Sequence, residues 1–111
     1  MDLSKIKGSI WFDGEIIDWQ DANVHVLTHT LHYGLGVFEG VRAYNTPKGS
    51  SIFRLEDHTA RLFKSAETVS LKIPFSQTQI NDAHKQIIKL NNFTNNDDNY
   101  LTPDQYKSLI Q

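Results

Sequence analysis

The stretch Ser51-Ile52-Phe53-Arg54-Leu55-Glu56-Asp57-His58-Thr59-Ala60-Arg61-Leu62 divides the chain into two halves of different periodicity. Residues 51–54 read as the returning strand of a hairpin. Before them Asn45-Thr46-Pro47-Lys48-Gly49-Ser50 is a turn by composition, and residues 37–44 before that are β-prone. From Leu55 the period becomes helical. Leu55, His58, Leu62, Ala66 and Val69 recur at spacings of three and four, one face of an α-helix. Glu56 and Asp57 fall in its first turn, where acids suit the helix dipole. Pro74 is expected to close the segment.

Towards the N-terminus, Ser9-Ile10-Trp11-Phe12-Asp13-Gly14-Glu15-Ile16-Ile17-Asp18 is a second hairpin signal. Asp-Gly between β-prone flanks supplies the two positive-φ residues that a tight turn requires. Val24 and Val26 bracket His25 in a short alternating run, read as a strand end. Clear periodicity is then absent from Thr28 to Val37. Towards the C-terminus, Ser76 with Gln79 three residues on forms a capping box, and Ile80, Ala83, Ile87 and Leu90 make the apolar stripe of a further helix. Thr94-Asn95-Asn96-Asp97-Asp98-Asn99 reads as a polar linker. Thr102-Pro103-Asp104-Gln105 reads as another helix start, with Tyr106, Leu109 and Ile110 as its apolar residues. The expected fold is α+β, an antiparallel sheet from β-hairpins with two helices packed on it. The expected organisation is one domain over residues 1–93 and a polar linker with a short helical tail over 94–111.

The 111 residues suffice for one domain with a modest core and fall short of two. A net charge of −2 with 11 scattered basic residues leaves no electrostatic footprint for nucleic acid. No apolar run approaches the roughly 20 residues needed to span a bilayer, and the first residues lack a secretory h-region, so a cytoplasmic location and no membrane partner are expected. The absence of Cys removes disulfides, thiolate nucleophiles and most structural zinc sites. His29 and His32, three apart, have no third ligand evident nearby, and no metal is assigned.

Between the two hairpins lies Leu31-His32-Tyr33-Gly34-Leu35-Gly36-Val37-Phe38-Glu39-Gly40-Val41-Arg42, where three glycines alternate with aromatic and charged residues. Gly34-Leu35-Gly36 lacks the further glycine and helix pattern of a dinucleotide-binding loop. The three glycines are read as strand bends. Taken by their residue types alone, Phe38 is a core aromatic, Tyr33 covers a sheet edge and Arg61 is a solvated arginine on an amphipathic helix.

Three segments taken together resemble one family. They are Ile10-Trp11-Phe12-Asp13-Gly14-Glu15; His25-Val26-Leu27-Thr28-His29-Thr30-Leu31-His32-Tyr33-Gly34 running on through Val37-Phe38-Glu39-Gly40-Val41-Arg42-Ala43-Tyr44; and Phe53-Arg54-Leu55-Glu56-Asp57-His58-Thr59-Ala60-Arg61-Leu62 followed by Ser65-Ala66. In this order, over residues 9–93, the chain resembles the N-terminal small domain of the branched-chain amino acid aminotransferases. These belong to the fold-type IV enzymes that use pyridoxal 5′-phosphate. D-amino acid aminotransferases and aminodeoxychorismate lyases share the general layout.

The resemblance implies amino-group transfer between Leu, Ile or Val and 2-oxoglutarate, with pyridoxal 5′-phosphate as cofactor and a homo-oligomer as the assembly. It places Arg61 on the cofactor phosphate, Phe38 and Tyr33 on the substrate side-chain pocket, Tyr33 reaching a neighbouring subunit's site, and Gly40 beside the substrate carboxylate. The Schiff-base lysine has no counterpart. None of Lys5, Lys7, Lys48, Lys64, Lys72, Lys85, Lys89 and Lys107 sits in a segment like the family's lysine motif, and no arginine follows Arg61. This chain alone is therefore expected to be inactive and not to bind the cofactor stably. A non-catalytic assembly or binding module derived from that domain is the alternative.

Overall fold

The structure, a computed structural model, describes residues 6–91. Strand β1 (Ser9–Phe12) turns back into β2 (Glu15–Asp18), with Phe12 opposite Glu15 and Trp11 opposite Ile16. The turn residues Asp13 and Gly14 take φ values of 50° and 91°. Both are positive, as a two-residue turn matched to the strand twist demands. Strand β3 (Ala43–Thr46) pairs with β4 (Gly49–Ile52) in the same antiparallel manner. One further rung is made by the Phe53 N–H, which donates to the Arg42 carbonyl at 3.1 Å. The expected antiparallel hairpins are thus present, as two separate two-stranded sheets.

A short 3-10 turn at Trp19–Asp21 and helix α1 (His29–Tyr33) lie between the hairpins. Two departures from expectation fall in this region. Val24 and Val26 form no strand; both are exposed, and no strand lies opposite them among the described residues. The β-prone run 37–44 becomes strand only at Ala43, because among the described residues the backbone before Arg42 has no neighbouring strand to complete a ladder. High β-propensity produces a strand only where such a partner exists.

Helix α2 (Leu55–Thr68) buries Leu55, Thr59 and Ala66, and helix α3 (Gln77–Leu90) buries Ile80 and Ala83. The small Thr59, Ala66 and Ala83 side chains suit a close helix-on-helix approach. At that contact the Thr59 hydroxyl, on a residue 2 % exposed, donates to Asn81 Oδ1 at 2.5 Å. A buried hydroxyl left without a partner would be costly. The stripe ends differ from expectation: Val69 and Leu90 are exposed, since each lies at or beyond the last turn of its helix, past the crossing.

The capping box at the start of α3 is formed as read. The Gln79 N–H donates to Ser76 Oγ at 3.1 Å and the Ser76 N–H to Gln79 Oε1 at 2.8 Å. Pro74, by contrast, does not end α2. The Leu71 N–H donates to the Ala66 carbonyl at 2.8 Å and the Ser70 N–H to the Glu67 carbonyl at 3.0 Å, around Ser70 at φ 57°. This is a Schellman turn with serine where glycine is usual. It satisfies the last carbonyls before the proline is reached.

Helix α3 is tied back to β1 at both ends. Near its start Phe75 meets Trp11 edge to face, with ring centroids 4.9 Å apart. At its end the Asn91 side chain accepts from the Ser9 N–H at 2.8 Å and donates to the Ser9 carbonyl at 2.9 Å. Alternate residues of an antiparallel strand point these groups outward, so the amide stands where a strand neighbour would. A cavity of about 570 Å³ lies between β1, the start of β3 and the inner faces of the helices, lined by Ile10, Val41, Leu62, Ile80 and Ile87 among others. The linker at 94–99 and the helix start at Thr102 lie outside the described residues.

Two substitutions test these assignments in urea unfolding. Ser70→Gly relieves a left-handed backbone position and should raise stability by up to about 1 kcal/mol. Ser76→Ala removes the cap and should lower it by about 1 kcal/mol.

Candidate functional site

The segment 34–42 is shaped by contacts at both of its ends. At the first, Gly34 ends α1 in the left-handed region at φ 63°, its N–H donating to the Thr30 carbonyl at 3.1 Å. The Thr30 hydroxyl then donates to the Leu35 carbonyl at 2.7 Å, and a Cβ on Gly36 would lie 3.2 Å from that hydroxyl. Gly34 and Gly36 therefore serve a helix cap and a tight crossing. The strand-bend reading is corrected on this ground, since no strand runs through residues 34–42.

At the far end the segment is held by Glu39. Its carboxylate accepts from Arg61 twice, Nε to Oε2 at 2.5 Å and Nη2 to Oε1 at 2.6 Å. His58 Nδ1 bonds Oε1 at 2.7 Å. An ionised carboxylate can only accept, which assigns the hydrogen to Nδ1. His58 and Arg61 are three apart on α2, so one helix face presents both donors. The acid is the sequestered member: the Glu39 side chain is 9 % exposed and that of Arg61 67 %. The Arg61 hydrogen bonds first, and the His58 bond after them, hold the Glu39 carboxyl down to about 2. Glu39 in turn raises the Arg61 guanidinium above its ordinary value.

Of the residues expected in the site, Arg61, Phe38 and Gly40 come together through Glu39. Phe38 and Gly40 are its chain neighbours, and Arg61 is its partner. Phe38 is 89 % exposed, which corrects its reading as a core aromatic. A Cβ placed on Gly40 would meet nothing within 4 Å, so the space beside it is open. Tyr33 does not join this hydrogen-bonded cluster. At 77 % exposure it closes α1, its ring edge-on to His29 at 5.5 Å and tilted against His32 at 6.1 Å. Among the described residues no group of three or more His, Asp or Glu side chains is placed to hold a metal.

Sequence reasoning misses two residues of this site. It places His58 on one face of α2 with the apolar residues, and it meets Glu39 only as a charged residue of the glycine-rich run, without a partner. The available signal is a lone acid in a glycine-rich apolar run together with two cationic donors three apart on a helix. Chemically, the arrangement leaves Arg61 Nη1 without a hydrogen bond among the described residues, on an exposed side chain. A guanidinium fixed on one edge and free on another suits a phosphate or carboxylate.

The pH dependence of stability carries a defined sign. A folded value of about 2 lies below the ordinary carboxylate value near 4.3. The contribution of ionised Glu39 is therefore present above that ordinary value and is lost as pH falls towards 2. Thermal unfolding should show Glu39→Gln less stable than the parent at pH 7. The gap should narrow below about pH 4 and close near pH 2.

Comparison with known proteins shows which family the chain belongs to. Residues 36–104 match the family profile described as Amino-transferase class IV. The chain is 55 % identical over 92 residues to the branched-chain-amino-acid aminotransferase of Pseudomonas aeruginosa, covering 83 % of this chain and 30 % of that one. The crystal structure of the Escherichia coli branched-chain amino acid aminotransferase superposes with a TM-score of 0.77 at 42 % identity, over 80 % of this chain and 29 % of that one. The branched-chain amino acid aminotransferase from Thermobaculum terrenum, in its PLP-bound holo form, superposes at 0.70 and 30 % identity, over 79 % and 29 %. The chain thus spans about 30 % of the length of the relatives it matches. The profile match over residues 36–104, more than half of the chain, shows that the chain belongs to the amino-transferase class IV family.

Proposed function

We propose that the chain forms the N-terminal portion of a pyridoxal 5′-phosphate-dependent branched-chain amino acid aminotransferase, which moves an amino group between Leu, Ile or Val and 2-oxoglutarate. The observation that carries this is Arg61, held by Glu39 with its outer donors exposed, beside a loop that carries Phe38 and Gly40. The residues present fit a phosphorylated aromatic cofactor: a fixed guanidinium edge, an exposed aromatic ring and open backbone space at Gly40. When bound, pyridoxal 5′-phosphate supplies an electron sink for the amino acid.

In this reading Arg61 donates to the phosphate oxygens and so anchors the cofactor end opposite the chemistry. Phe38 lies against the branched aliphatic side chain, and apolar contact there favours Leu, Ile and Val over polar amino acids. Gly40, without a Cβ, lets the substrate carboxylate approach the backbone. Tyr33 stands apart from the Glu39 cluster and serves the site of a neighbouring copy in a homo-oligomer. The lysine that carries the cofactor is not among the eight in this chain, so catalysis requires a lysine-bearing segment in addition to the residues described. Residues 1–93 act as the aminotransferase-like domain and 94–111 as linker and tail. No helix among the described residues is long and apolar enough to cross a membrane, and the proposed setting is cytoplasmic.

The test joins residues 1–91 of this chain to the complementary part of the Pseudomonas aeruginosa relative. The chimera should transaminate leucine with 2-oxoglutarate. Arg61→Ala in it should raise the cofactor concentration for half-saturation by about tenfold or more, the loss of charge-assisted hydrogen bonds. A folded chimera without transamination would sink the reading. The 111-residue chain alone, treated with pyridoxal 5′-phosphate and borohydride, should give no stoichiometric adduct on any one lysine by mass spectrometry.

A further inference from the structure

The geometry points to Glu39 as a positioning residue: its carboxylate, braced by His58, orients Arg61 for a phosphate monoester and fixes Phe38 and Gly40 in register with it. This rests on the reading of Arg61 as the phosphate contact. A free arginine side chain samples many rotamers, and binding must order it. Here two of its nitrogens are already engaged by the two oxygens of one carboxylate, the fork geometry that sets the guanidinium plane. What remains outward is Nη1 and the outer N–H of Nη2.

The acid is in turn held. His58 adds a third donor at 2.7 Å, from the same helix face as Arg61, so Oε1 is bridged between the two side chains. Glu39 is 9 % exposed although it sits in a segment without strand pairing. Its placement therefore sets where residues 38 and 40 stand. Phe38 and Gly40 flank it directly, and neither is held by packing of its own: the ring is exposed and the glycine meets open space. One carboxylate thus links the anion-binding arginine to the two residues assigned to the substrate.

Electrostatics alone predicts the opposite outcome. A negative charge beside Arg61 repels an incoming phosphate, and its removal would tighten phosphate binding. Orientation and charge are therefore separable by experiment. The protein is the 111-residue chain, and the probe is inorganic phosphate, followed by NMR of backbone amides and of the Arg61 guanidinium. In the parent, phosphate should shift the Arg61 Nη signals while Nε–H stays in place, and the Phe38 and Gly40 amides should follow with the same dissociation constant. Glu39→Gln should speed exchange of the Arg61 Nε–H, weaken phosphate binding by roughly tenfold, the cost of ordering a freed arginine, and uncouple the two amides from the titration. Glu39→Asp keeps the charge and withdraws it by one methylene, and should weaken binding in the same direction.

Binding in Glu39→Gln that matches or exceeds the parent, with Glu39→Asp like the parent, would overturn the positioning role and leave Arg61 as the phosphate contact. A parent chain whose Arg61 signals do not respond to phosphate would overturn that contact and this proposal with it. Should Glu39→Gln fail to fold, Glu39→Asp decides alone: parent-like affinity and parent-like Nε–H exchange overturn the role, and weakened binding with faster exchange supports it.

Discussion

The Glu39 carboxylate receives three hydrogen bonds from two side chains on one face of α2. Among the described residues no strand pairs with residues 34–41, so this side chain does for them what a ladder does for β1 to β4. Exposed ion pairs generally contribute little, because water and salt screen them and long side chains lose freedom. Glu39 differs in two respects: it is itself sequestered, and its partner meets it through both oxygens. A sequestered carboxylate without these donors would be costly. The contact is therefore as much an obligation of the fold as a source of its stability. The same contact sets the orientation of Arg61, on which the functional reading turns.

The apolar core that supports this arrangement is small. Among the described residues Leu55, Ala66, Ile80 and Ala83 are its buried apolar members. Small side chains at the crossing of α2 and α3 let the helices approach, and polar contacts supply the precision that volume does not. Thr59 with Asn81 fixes one helix against the other. Asn91 with Ser9 ties the end of α3 to the first strand across 82 residues of chain. The two sheets share no strand, and Ser9–Trp11 and Val41–Ala43 line one cavity together.

The Asp13-Gly14 turn, the β3–β4 hairpin, the start of α2 and the capping box at Ser76 are all legible in the sequence, because each is set by chemistry within about four residues. The end of α2 escapes a local reading for a related reason. Pro74 is the stronger local stop, but the helix has already closed through Ser70, a residue with no glycine signature. Residues 37–42 depart from their β-prone pattern because strand propensity says nothing about whether a partner strand is available. Phe38 departs from the core position its residue type suggests, since the exposure of an aromatic depends on what surrounds it. The candidate site is legible as a set of residue types, and family resemblance supplies the roles attached to them.

Local chemistry in the chain suffices to place the two hairpin turns, the capping box of α3 and the course of both long helices, and with them the α+β class. Each of these follows from φ preferences, side-chain periodicity and hydrogen bonds that close over a few residues. The pairing of Glu39 with His58 and Arg61 lies beyond that reach, joining positions 19 and 22 residues apart. The chain offers Arg61 a choice of 13 acids. Which of them meets it depends on how the segment 34–42 crosses α2, and that crossing exists once α1, the second hairpin and α2 have assembled. Charge is visible in a sequence, whereas the distance and burial that give a charge its role are properties of the folded chain.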